Sequence, residues 1–85
     1  MTIKLNNINY VALRVDHGYL TGNYMVRDMY CIRGQREDTL NWDMIEKSFT
    51  NRDDAINTAI KLRGSCKIDI FDVNGYGIDN PYYNK

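Results

Sequence analysis

The chain has little of what the commoner functional classes require. Its 85 residues include one histidine, one proline and two cysteines, and eleven basic residues cancel eleven acidic ones. A zero net charge argues against a protein that coats nucleic acid through its overall field, although it leaves room for local patches. No apolar run approaches the ~20 residues that cross a bilayer. The opening MTIKLNNINY also lacks the long apolar segment that directs secretion. The expectation is a cytoplasmic protein with no membrane contact. Cys31 and Cys66 lack metal-ligand spacing, and in a cytosolic chain two such thiols read as small buried hydrophobes, with a disulfide as the alternative.

Catalytic chemistry is equally sparse. His17 is the only histidine, in an Asp16-His17-Gly18 stretch that reads as a turn, and no nucleophile is placed to complete an acid–base pair with it. Asp69, Asp72 and Asp79 flank a glycine-containing stretch, but DVNGYGID lacks the acidic ligand count and the closing glutamate of a calcium loop. Gly75-Tyr76-Gly77 lacks the third glycine and the following helix of a phosphate-binding loop. The sequence therefore points away from an enzyme and calls for no metal and no cofactor.

What is present is organised around Ser48 to Gly75. Thr50 or Asn51 can cap a helix, with Asp53 and Asp54 at its positive end and Lys61 and Arg63 at its negative end. Ala55, Ile56, Ala59, Ile60 and Leu62 fall on one side at helical spacing, and Gly64 ends the run. From Lys67 to Val73 the chain alternates with apolar residues of both parities, which predicts a central strand. Asn74-Gly75 follows as a hairpin-turn signal, so a short strand over 76–78 would fold back.

Earlier in the chain, residues 8–15 alternate, with Val11, Leu13 and Val15 on one face and Tyr10, Ala12 and Arg14 on the other. After turn chemistry at 16–18 and 21–23, a second strand is expected over 24–32. Arg33 to Asp38 then reads as an exposed, mobile charged loop, and 40–49 as a bulged strand or a short helix, with strand preferred. The expected fold is α+β, an antiparallel sheet of three to five strands with one helix on one face, in the order β-β-β-α-β. Residues 1–85 make a single small domain that buries roughly 60–65% of its unfolded surface. The tail from about 79 should dock loosely.

That order makes a statement about charge. If the strands run up, down and up, Arg33, Arg36, Lys61, Arg63 and Lys67 converge at one end and Asp16, Asp53, Asp54 and Asp72 at the other. The basic end is then the candidate binding site, for RNA phosphates or an acidic protein surface. Seven tyrosines, with Trp42, Phe49 and Phe71, add aromatic surface for stacking or for a protein interface.

The phrase SFTNRDDAINTAIKL followed by a strand ending in Asp-x-Asn-Gly resembles small β-β-β-α-β domains of unknown function, a likeness that implies a fold. In size, in its lack of catalytic motifs and in its Asn, Tyr and Met content, the chain also resembles the small accessory proteins of T4-like phages. That resemblance implies a counter-defence inhibitor acting in the host cytoplasm on a host protein such as a toxin–antitoxin nuclease, in some cases with RNA. A nucleic-acid-binding regulatory module and a structural or homo-oligomerising protein are the alternatives.

Overall fold

The computed structural model describes residues 1–78, so the expectation of a loose tail from about 79 lies outside the described residues. Within them run β1 (Ile3–Leu5), β2 (Ile8–Thr21), β3 (Tyr24–Arg36), β4 (Trp42–Phe49), α1 (Arg52–Arg63) and β5 (Asp69–Asp72). The fold is α+β: a five-stranded, mainly antiparallel sheet with one helix packed against it.

Composition hid one turn and falsely suggested another. Asn6 and Asn7, which look like a polar lead-in, both adopt positive φ (51° and 67°) and close a tight hairpin between β1 and β2. Asparagine tolerates that conformation because its short side chain bonds locally. Conversely, Asp16-His17-Gly18 is no turn. It lies within β2, where an irregular register opposite residues 26–30 of β3 accompanies a φ of 88° at Gly18. The chain reverses at Gly22-Asn23 instead.

A second register shift, between Tyr10 and Ala12, corrects the face assignment of β2. Val11 is an extra residue there, so Tyr10 pairs with Arg36 and shares the helix-facing side with Leu13 and Val15. One added residue reverses the parity of everything before it. Arg33 to Arg36 likewise belongs to β3, paired with Arg14, Leu13, Ala12 and Tyr10, and is not a mobile loop. Residues 42–49 form the expected bulged strand, with Ser48 at φ 76°.

The helix begins at Asn51, whose side-chain oxygen accepts from the Asp53 backbone N–H at 2.8 Å. Ala55 and Ala59 are fully buried against Leu13, Val15, Ile32, Ile68 and Ile70, while Ile56, Ile60 and Leu62 are half-buried at the margin. Small side chains at the contact let the helix approach the sheet closely. From β4 at one edge, α1 carries the chain across to the other, where β5 pairs in parallel with β2 alone. The expected central strand is therefore an edge strand. Beyond it the chain does fold back, through Asp72 N–H to Tyr76 O and Ile78 N–H to Ile70 O. The turn is not the expected hairpin type, because Gly75 has positive φ and Asn74 does not.

Candidate functional site

Two surfaces remain after the core is accounted for. The first is the sheet face turned away from the helix. Because Arg14 pairs with Arg33 across β2 and β3, and with Phe71 across β2 and β5, these side chains share that face with Ala12 and Asp16. Asp16 is only 7% exposed and lies between two arginines. Arg14 donates from Nε to Oδ1 at 2.7 Å and from Nη2 to Oδ2 at 3.0 Å. Arg33 Nε approaches Oδ2 at 2.8 Å. A bidentate pair of this kind fixes the guanidinium plane.

Arg14 also lies over the Trp42 ring, its Cζ 4.5 Å from the centroid. The stack places a charged plane against an aromatic one and orients both. Beside them opens a hollow of about 420 Å³, lined by Arg14, Trp42, Phe71, Val73, Asn74 and Gly75. The loop over it is held by Asp72, whose Oδ1 accepts the backbone N–H groups of Asn74 and Tyr76, each at 2.9 Å. Beneath this face Cys31 is fully buried, and the loss of hydration raises its thiol pKa above the ordinary value.

The second surface is the distal part of the β2–β3 hairpin. β5 pairs with β2 only at 12–15, and β4 pairs with β3 only from Tyr30 onward. Among the described residues, then, no third strand flanks the hairpin from Gly18 to Met29. Leu20, Tyr24 and Met25 at its tip are 64%, 76% and 50% exposed. At its base the Tyr19 hydroxyl lies 3.1 Å from the Ser48 hydroxyl.

The five basic residues singled out from sequence differ in their surroundings. Arg33 is paired with Asp16 on the face away from the helix. Arg36, three residues on and so on the helix side, is paired with Asp43, which also accepts from the Tyr10 hydroxyl at 3.0 Å. The Asp43 carboxylate raises the Arg36 pKa, and burial followed by that same carboxylate raises the Tyr10 pKa. Arg63 is 2% exposed, on the stripe of Ala55 and Ala59. Lys61 and Lys67 alone are freely exposed. Of the five, then, two are ion-paired on opposite sheet faces, one is buried and two are exposed. Of the expected acidic end, Asp16 sits between arginines and Asp72 holds a turn.

His17 stacks on Tyr30, with ring centroids 4.3 Å apart and planes 12° from parallel. Among the described residues no three His, Cys, Asp or Glu side chains are grouped to hold a metal, and no helix is long and apolar enough to cross a membrane. Both thiols are free, Cys66 donating to the Thr2 carbonyl at 3.0 Å. Sequence reasoning named Trp42 only among the aromatics available for stacking or an interface, and missed Arg14 and the hairpin tip as candidates. Arg14 and Phe71 become neighbours only through the parallel pairing of β5, whereas the tip was marked by apolar residues beside a Thr-Gly-Asn turn. Compared with protein-family models, with curated proteins and with solved structures, the chain matches none.

Proposed function

We propose that the chain is a non-enzymatic binding protein that inhibits a host defence enzyme, of the toxin–antitoxin nuclease kind, in the cytoplasm, and that it meets that enzyme with the tip of the β2–β3 hairpin. The observation behind this reading is the exposure of Leu20, Tyr24 and Met25 on an unflanked hairpin. Three of the exposed large apolar side chains cluster at this one turn, and leaving them in water forgoes stabilisation that burial would bring. Apolar and aromatic side chains on a projecting element are the ordinary anchors of protein interfaces. The choice of a defence enzyme as target rests on the likeness in size and composition to accessory proteins of T4-like phages.

A second reading, a nucleic-acid-binding module acting without a protein target, is favoured by the Arg14, Trp42 and Phe71 face, where a base has rings to stack on. Capture from host lysate, with and without ribonuclease, separates the two. A stoichiometric protein retained after ribonuclease supports inhibition, and nucleic acid without protein supports the second reading. Self-association alone would favour an oligomerising protein and remove both.

A further inference from the structure

We infer that the hollow between Arg14 and the 72–76 loop is a binding site for a nucleoside monophosphate unit. The site lies apart from the hairpin tip, so the inhibitor reading stands or falls separately.

Three groups converge there. Trp42, Phe71 and Val73 give the hollow apolar walls, two of them aromatic. A volume of about 420 Å³ admits one base with its sugar. Arg14 stands at its side as the anion-binding group. Two of its N–H donors go to Asp16, and a guanidinium carries five, so donors remain for a phosphate.

The third group is the carboxamide of Asn74. Its backbone N–H is taken by Asp72, but its side chain is exposed in the lining and offers a donor and an acceptor side by side. That pair matches the edge of a nucleobase, which also presents a donor beside an acceptor. A ring to stack on, a cation for phosphate and an amide for the base edge are together the chemistry of nucleotide recognition.

The Arg14 side of the hollow is positive, while on the loop side the Asp72 carboxylate is already engaged by two backbone N–H groups. Asp16 neutralises one of two arginines, leaving the Arg14, Arg33 and Asp16 group with one net positive charge on a chain that is neutral overall. Asp16 is a positioning residue: by gripping Arg14 at two points it holds the guanidinium on Trp42, so little side-chain entropy is lost on binding. The stack also blocks one face of the indole, which directs an incoming ring to Phe71 and the open indole edge.

Trp42 is the only tryptophan in the chain, so its fluorescence reports from the wall of this hollow. The full chain is titrated with adenosine and guanosine 5′-monophosphates, with the corresponding nucleosides, and with a short single-stranded oligoribonucleotide. Saturable change with a monophosphate is expected, weaker by on the order of tenfold or more for the nucleoside and for Arg14→Gln. Asn74→Ala, in an exposed turn that is spared any folding role for its side chain, should shift the preference between the two bases. If the oligonucleotide binds more tightly than the monophosphate, the natural source of the ligand is a strand; if equally, a free nucleotide. Absence of any saturable change up to about 10 mM, roughly ten-thousandfold above a micromolar affinity, overturns the proposal. Binding that ignores both Arg14→Gln and Asn74→Ala overturns it as well.

Discussion

The Tyr10 ring lies directly on the bare Cα of Gly34: a Cβ built there would fall 2.7 Å from Tyr10 Cδ1 and 2.5 Å from Ile45 Cδ1. Gly34 has no positive φ to demand glycine, so the requirement is purely steric. Gly34→Ala should cost about 1–3 kcal/mol through overpacking, read as a lower urea midpoint at unchanged slope. Truncating Tyr10 in the same chain should recover part of that loss.

Asp16→Asn keeps the shape of the side chain and removes the charge shared by two arginines. Charge-assisted hydrogen bonds of this kind contribute about 1.5–3 kcal/mol each when part-buried, so a loss of about 2 kcal/mol in chemical denaturation is expected. Arg33→Gln should cost less, because Arg14 still holds Asp16 at two points.

Ala55→Asp places an unpaired carboxylate at a fully buried contact between α1 and the sheet. The penalty is several kcal/mol, comparable with the whole stability of a small domain, and cooperative melting should be lost. Ile60→Asp, at a half-buried position, should be milder, and equal effects would show that the two sites are packed alike.

How much of this was legible in the sequence follows from which signals are local. The helix, its Asn51 cap and its Ala55 and Ala59 contact were readable because capping and 3.6-residue spacing act within a dozen residues. Arg63 was readable too, at i+4 from Ala59, but its charge drew it to the basic list. The β2 bulge was not: Val11 carries no mark that it is the extra residue, yet it moves Tyr10 to the core side. The Arg33 to Arg36 strand was masked by its charges, which find Asp16 and Asp43 from distant strands. Neither ion pair has any signature in the primary sequence.

Stability should fall on the alkaline side. The pKa values of Cys31 and Tyr10 are raised in the fold, so the native state holds these protons longer than the unfolded chain does. Their contribution is complete below the unfolded values of about 8.5 and about 10, and is lost as pH rises through the higher folded ones. Denaturation midpoints between about pH 7 and 11 should decline, with Cys31→Ala removing the earlier part of the slope and Tyr10→Phe the later part.

The central claim is that the hairpin tip carries the protein interface. Leu20→Ser combined with Met25→Ser changes two exposed positions that face each other across the turn, and should leave the melting temperature within a few degrees of the parent's. The deciding measurement is the affinity of this double variant for the protein captured by the parent chain, by calorimetric titration. A loss on the order of a hundredfold is expected if these side chains are interface anchors. An affinity equal to the parent's, in a variant that melts normally, would contradict the account and move the interface away from the hairpin.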